Sequence, residues 1–423
     1  MSESGDLQID VGPHWIISTS PNGGIPMKRE TLSGESSAWF APWLERFGNG
    51  SLQLGFSVDP DNYGRAPINR SMLLYSENEG DSWWFDTALA HGVIIPFEAS
   101  DGMRHLYGGT CSQDYKYPAR RGDSFTIPRY LSYDRGRTWE GPETVELYLP
   151  QADLAAFNGR PILELADGRY VTPLYLSFRG EEKSRVIVVA SSDKGRRWEY
   201  LSTVGYDPDP VTPNCSEPVL LQLASGNLLC TMRREGFAPM SQAVSADLGQ
   251  TWSDLEPLPG NGVWPDLCQL ESGIVACAYG RPGCHIMFNA DGNGNNWSHQ
   301  TPIIETLVTP TVLRTYWGFM DESRRADETG NDLFESVFRH YCGDPGDAAS
   351  LAEQDRNQEG TWSKGYASVR EIRPGELLYV YGVCRHPQDW RGGALPTREE
   401  LLSEEVPTLN SIMGTIIKVQ RLH

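Results

Sequence analysis

Ser132-Tyr133-Asp134-Arg135-Gly136-Arg137-Thr138-Trp139 has the form Ser-x-Asp-x-Gly-x-x-Trp, and four further segments of the chain repeat it. Two copies keep the form unchanged, at residues 191–198 (SSDKGRRW) and 245–252 (SADLGQTW). A third, at 76–83 (SENEGDSW), has Asn for Asp, and the last, at 289–297 (NADGNGNNW), has one residue more. Successive copies start 44 to 59 residues apart, the spacing of propeller blades rather than of helical repeats. Each residue type has a physical task. The Asp accepts hydrogen bonds from backbone N–H groups of its own turn, the Gly permits positive φ, and the Trp packs the turn onto a sheet. That chemistry predicts a hairpin clasp and leaves the five Asp and Asn side chains with a structural role.

A second signal alternates with the clasps. A turn glycine separates two short apolar strands at Gly50 (NGSLQLGF), Gly102, Gly168 (DGRYVTPLY), Gly226 (SGNLLCTM), Gly273 (SGIVACAY) and Gly375 (PGELLYVY). Six turns and five clasps, in strict order, predict an all-β chain folded as a six-bladed β-propeller. One such ring is expected to take up residues 1–423 as a single domain. The segment from Leu7 to Ser18 is expected to supply the outermost strand of the last blade, which closes the ring and protects its edges. Residues 320–360 are charged and Gly-rich, break the rhythm, and read as an insertion over one face of the disc.

Bulk properties narrow the function. The 13 Trp, 18 Tyr and 13 Phe suffice for a large core, and 43 Gly with 29 Pro suit many short strands. A net charge of −20 disfavours nucleic acid as a partner, because phosphate binding needs Lys and Arg in excess. No run of 18 apolar residues predicts a membrane span. The first residues, MSESGDLQIDVGPHW, lack a basic stretch followed by an apolar run. They predict a cytoplasmic protein, or a secreted one whose signal is not part of this sequence. Eight scattered Cys without CxxC spacing, and His105, His285 and His340 without ligand spacing, predict neither a metal centre nor a cofactor site. Cys230, Cys268 and Cys277 lie in apolar runs and read as buried thiols.

In a propeller the inner strands bring their ends to one shared mouth. Counting nine residues back from the turn glycine reaches Ala41, Glu217, Trp264 and Tyr366 in blades one, four, five and six, and Gly159 or Arg160 in blade three. A carboxylate, an indole and a phenol at equivalent axial positions suit a binding site better than a core.

At these residues the chain resembles the sialidase (neuraminidase) superfamily of Asp-box, or BNR-repeat, propellers. Residues 214–233 (NCSEPVLLQLASGNLLCTMR) are similar to that family's stretch with a catalytic glutamate and, sixteen residues on, a carboxylate-binding arginine. Residues 365–381 (GYASVREIRPGELLYVY) are similar to its segment with a nucleophilic tyrosine, and Tyr279-Gly280-Arg281 to the region of another site arginine. The resemblance implies a retaining, exo-acting glycoside hydrolase for a sialic acid or related acidic sugar. Tyr366 would attack, Glu217 would take its proton, Arg233 and Arg281 would hold the anionic group, and Asp59 or Asp61 would serve as acid and then base. A neutral phenol suits a sugar whose own carboxylate repels an anionic nucleophile.

One departure bears on the substrate. The family's first blade carries an Arg-Ile-Pro-like triplet whose arginine completes a three-arginine clamp, and here Phe40-Ala41-Pro42 stands in its place. Loss of such a donor costs about 2–5 kcal/mol in binding. Arg46, Arg65 and Arg160 are the candidates to replace it, and Trp264 is expected to contact the sugar. Two other readings stay open. One is a polysaccharide lyase, or a hydrolase for another sugar, with Tyr366, His105 or His285 as acid/base. The other is a propeller that binds carbohydrate without turning it over.

Overall fold

The computed structural model describes residues 6–19, 40–57, 71–89, 93–109, 120–153, 155, 157, 160–209, 211–235, 238–280, 283–304, 365–384 and 410–422. The fold is an all-β propeller of six blades, each an antiparallel sheet of four strand positions. Two strands, β1 (Leu7–Val11) and β2 (Trp15–Thr19), precede blade one, which comprises β3 (Phe40–Arg46), β4 (Leu52–Ser57), β5 (Ser71–Ser76) and β6 (Trp84–Leu89). Blade two is β7 (Val93–Glu98), β8 (Arg104–Gly109), the short β9 (Arg120–Arg121) paired with the start of β10 (Ser124–Ser132), β10 itself and β11 (Glu140–Tyr148). Blade three is β12 (Leu163–Glu164), β13 (Tyr170–Leu176), β14 (Arg185–Ser191) and β15 (Arg197–Gly205). Blade four is β16 (Cys215–Gln222), β17 (Leu228–Arg234), β18 (Pro239–Ser245) and β19 (Glu256–Asn261). Blade five is β20 (Val263–Gln269), β21 (Val275–Gly280), β22 (Cys284–Asn289) and β23 (Trp297–Ile304).

Blade six is built from both ends of the chain. β24 (Ala367–Arg373) and β25 (Glu376–Cys384) continue into β26 (Asn410–Arg421), whose outer edge carries β1 and β2 one after the other. Leu7 pairs with Arg421 and Trp15 with Gly414, so the N-terminal strands cover an edge that would otherwise present unpaired backbone. Blades two and three are not separate sheets. The start of β15 pairs in parallel with the end of β11, Leu147 opposite the fully buried Trp198.

The clasps form as the motif predicts. Ser132 Oγ accepts from Gly136 N at 2.7 Å, and Asp134 accepts from Thr138 N at 2.8 Å and Thr138 Oγ1 at 2.6 Å. The serine-to-glycine bond recurs at Ser76, Ser191 and Ser245, and Asn289 takes the role in the longer fifth copy, bonding Gly294 N at 2.8 Å. The motif does more than close a hairpin. A carbonyl of four of the clasps is bonded by a side chain of the blade before. Tyr75 donates to Arg135 O, Arg129 to Lys194 O, Ser202 to Gly249 O and Gln242 to Gly294 O. The clasps are thus rivets between blades, with the donating side chains buried.

Gly195 exposes how tight this joint is. A Cβ there would lie 1.9 Å from Tyr107 Oη, and φ is +75°. Gly195→Ala is therefore expected to lower unfolding stability by about 3 kcal/mol, strain and overpacking together. Gly226→Ala, at φ +89° with nothing within 4 Å, is expected to cost about 1 kcal/mol. Urea denaturation of both variants checks the difference.

Core packing lies mainly between adjacent blades. His105 belongs to one such layer. It is fully buried, stacked on Tyr107 and set edge-on to Tyr170. Burial pushes its imidazole down to about 4, and the Arg129 guanidinium adds to the effect. The unfolded chain takes up that proton near pH 6.5 and the folded chain only near pH 4. Stability is therefore expected to fall with pH through this window, by an amount on the order of 3 kcal/mol. Thermal melts from pH 7.5 to 4 should show the loss, and His105→Gln should flatten it.

Candidate active site

The inner strands β16, β20, β24 and β3 pack side by side around the axis. At the head of three of them the backbone is strained at the counted position. Ala41 has φ +50°, Glu217 φ +43° and Trp264 φ +34°. Each sits at a register shift in its strand, and each precedes a proline, which has no N–H to lose from the ladder. Positive φ is costly for a residue as bulky as Trp, and such strain gathers at functional sites. The X-Pro pair also singles out Arg160, before Pro161, as the equivalent in blade three. Gly159 and Asn158 lie outside the described residues.

The bulges turn side chains toward one another. Glu217 is 6% exposed, with Oε1 3.2 Å from Arg233 Nη1 and Oε2 accepting the Trp264 backbone N–H at 2.9 Å. Trp264 meets Tyr366 edge to face, ring centroids 6.2 Å apart, and both pack with Ala41 and Val263. The Arg160 guanidinium lies 4.8 Å over the Trp264 ring. Arg233 and Arg160 both feel the charge of Glu217 and the Tyr366 phenol. Glu217, Arg233, Trp264, Tyr366 and Arg160 thus occupy one mouth.

Arg233 faces this mouth, whereas Arg234 points the other way, toward Cys215, Lys183 and Asp207. Burial opposes the charge of Arg233, but Glu217 and Glu235 outweigh it and hold the guanidinium above its ordinary value. Glu235 Oε2 lies 3.1 Å from Arg233 Nη2, and Ser216 Oγ braces Oε1 at 2.7 Å. Sequence reading passed over Glu235, although two residues apart on a strand places it on the face of Arg233.

Deeper on the axis lies an ionic cluster that no motif announced. Asp266 Oδ2 accepts from Val369 N at 3.0 Å and Arg370 Nη1 at 2.8 Å, and also from Ser368 Oγ. Arg370 Nη2 reaches Glu45 Oε2 at 3.0 Å. Glu45, Asp266, Ser368 and Arg370 line a small cavity together with Arg160, Trp43 and Pro161. Burial pushes Glu45 up, and Arg370 pulls it back.

Several other expectations are placed or corrected. His105 lies between blades and His285 on the third strand of blade five, stacked on Tyr279, so neither is at the mouth to act in a lyase. Arg46 ends β3 beside the Gly50 turn, away from Ala41, and does not stand in for the first-blade arginine. Asp59, Asp61, Arg65, Arg281, His340 and the segment 320–360 lie outside the described residues, as does the Phe40 side chain. The backbone leading to Arg281 nevertheless abuts Gly365, the residue before Tyr366. Gly280 approaches its neighbour so closely that a Cβ would meet Gly365 O at 2.6 Å. Among the described residues no three His, Cys, Asp or Glu side chains gather as metal ligands, and no helix is long and apolar enough to cross a membrane. Cys215, Cys230, Cys268 and Cys277 are free and buried, and Cys284 is buried as well.

Comparison with known proteins agrees with this architecture. Residues 95–282 match the BNR repeat-like domain family. A sialidase of Paraclostridium sordellii is 27% identical over 154 residues, which cover 33% of this chain and 36% of that protein. The match thus spans about a third of this relative's length. The intramolecular trans-sialidase of Ruminococcus gnavus superposes with a TM-score of 0.54 at 11% identity, over 91% of this chain and 96% of that one. The α-L-arabinanase of Penicillium chrysogenum does so with a TM-score of 0.55 at 15% identity, over 97% and 98%.

Proposed function

We propose that this sialidase-like BNR-repeat propeller is a retaining, exo-acting glycoside hydrolase whose nucleophile is Tyr366 and whose base is Glu217. The observation that carries the reading is the meeting of Glu217, Arg233, Trp264 and Tyr366 from three blades, with Glu217 and Trp264 at backbone positions strained in the same way. Glu217 is held by two donors, one on each oxygen, and each oxygen keeps a second lone pair for the phenol proton.

Tyr366 Oη attacks the anomeric carbon while its proton passes to Glu217, and the glycosidic oxygen departs with a proton from Asp59 or Asp61. Water then attacks the glycosyl-tyrosine, giving its proton to that aspartate, and Glu217 returns the first proton to Tyr366. Arg233 and Arg281 hold the anionic group of an acidic sugar, and Trp264 supplies an apolar face.

A second substrate class has its own support. Phe40 stands where the family pattern has an arginine, the next residue, Ala41, packs with Trp264 and Tyr366, and this apolar wall suits a neutral sugar. One of the similar folds is an arabinanase. Aryl glycosides of N-acetylneuraminic acid, glucuronic acid and arabinofuranose test both. Release of the aglycone, with the first-formed sugar retaining its anomeric configuration by NMR, is the expected result. An unsaturated uronate product from a polysaccharide would replace hydrolysis by elimination, and no product from any of these would remove the enzymatic reading.

A further inference from the structure

Both terminal nitrogens of Arg233 already face carboxylates of the protein itself. Nη1 lies 3.2 Å from Glu217 Oε1, and Nη2 lies 3.1 Å from Glu235 Oε2. Glu235 is fixed in that place from two sides. Its backbone N–H donates to Asn214 O at 3.1 Å, which carries the pairing of β16 with β17 one residue further. Its Oε1 accepts from the buried Ser216 Oγ at 2.7 Å. Ser216 lies opposite Arg233 in the ladder and directly precedes Glu217, so Ser216, Glu235, Arg233 and Glu217 close a ring.

This ring sets the charge of the mouth. One guanidinium serves two carboxylates, which leaves one negative charge in surplus. Among the described residues Arg160, over the Trp264 ring, is the further cation of the mouth, and it brings the sum only to zero. Deeper on the axis Arg370 again serves two carboxylates, Asp266 and Glu45. An acidic sugar at Arg233 would bring a third carboxylate to a cation that has two, and like charges brought together in a desolvated site cost binding. A guanidinium grips a carboxylate through two parallel N–H groups, and Glu235 takes one side of that grip. A neutral sugar meets neither obstacle. Its hydroxyls can donate to spare lone pairs of Glu217 and Glu235, beside the apolar wall of Ala41 and Trp264.

We infer that Glu235 is a specificity-determining residue of this mouth, a carboxylate of the protein's own that occupies Arg233 and turns the site toward neutral sugars. The inference rests on reading the mouth as a sugar site. Between the two substrate classes it selects the neutral one, with Arg233 kept to hold Glu217.

Removal of Glu235 should open the site to anions, a gain that misfolding does not imitate. Binding of glucuronic, galacturonic and N-acetylneuraminic acids, each against its neutral methyl ester, is measured by tryptophan fluorescence on the full chain. The wild type is expected to bind each ester at least as tightly as its acid. Glu235→Ala and Glu235→Gln should raise the acid-to-ester affinity ratio of at least one pair by about 10-fold, the low end for a like-charge contact because the Glu235 side chain is 34% exposed. Glu199→Gln removes one exposed charge from the outer strand of blade three and should leave the ratio unchanged. A wild type that prefers an acid by about 10-fold overturns the inference. So does a ratio that stays or falls in the folded Glu235 variants, or one that rises as much in Glu199→Gln. Failure of every probe to bind removes the sugar site and the role of Glu235 with it. Turnover separates the two readings. A ratio that rises as expected while no aryl glycoside is cleaved overturns the hydrolase and upholds Glu235. Cleavage with an acid-to-ester ratio in kcat/KM that Glu235→Gln leaves unmoved overturns Glu235 alone.

Discussion

Tyr366→Phe is expected to lower kcat on the best aryl glycoside by at least about 10³-fold while the melting temperature changes by no more than about 2 °C. The ring keeps its edge-to-face contact with Trp264 and its packing on Ala41 and Val263, so the fold loses one hydroxyl. The reaction loses its nucleophile, and 10³-fold corresponds to about 4 kcal/mol of barrier. Glu217→Gln should fall by about 10²–10⁴-fold, the range for a general base, because an amide cannot take the phenol proton. The double variant should be little worse than the weaker single, since the two groups act in one step. Fluoride-activated sugars trapped on the wild type and located on Tyr366 by mass spectrometry would add direct proof. Equal turnover in wild type and Tyr366→Phe would remove the nucleophile assignment.

Arg370→Met should produce the largest loss of stability. The guanidinium is the link between Asp266 of blade five and Glu45 of blade one, and its removal leaves a buried and a partly buried carboxylate without their cation. Breaking such a pair from one side costs about 3–5 kcal/mol. Burial opposes the charge of Arg370, yet the carboxylates hold it above its ordinary value, which is the sign of a cation the site needs. In the variant Glu45, which burial pushes up and Arg370 no longer pulls back, should take up a proton instead. The deficit relative to wild type should therefore shrink as pH is lowered from 7 toward 4, and urea denaturation at several pH values reads it. A triple replacement of Arg370, Asp266 and Glu45 by apolar residues should recover much of the loss, because the desolvation cost disappears with the charges.

Two kinds of feature separate what could be read along the chain from what could not. The clasp motif and the turn glycines are local. Ser132, Asp134, Gly136 and Thr138 satisfy one another within seven residues, so their spacing alone announces the hairpin. Counting back from the turn glycine finds Glu217, Trp264 and Tyr366 for the same reason, since strand and turn geometry repeat from blade to blade. The rivets were hidden because donor and acceptor are far apart in sequence: Arg129 bonds Lys194 O, and Gln242 bonds Gly294 O. The parallel seam between β11 and β15 was hidden likewise.

Sequence by itself determined the all-β ring, its six blades and the axial positions from which a site is built, because short-range hydrogen bonding and period-two burial are written locally. Only the tertiary structure decided what meets there. It sent His105 into an aromatic layer, turned Arg233 rather than Arg234 to the mouth, joined Asp266, Arg370 and Glu45 on the axis, and laid Arg160 against Pro42. The physical reason is that charge and burial depend on distance in space. Residues from blades one, three, four, five and six come within a few ångströms only when the ring closes.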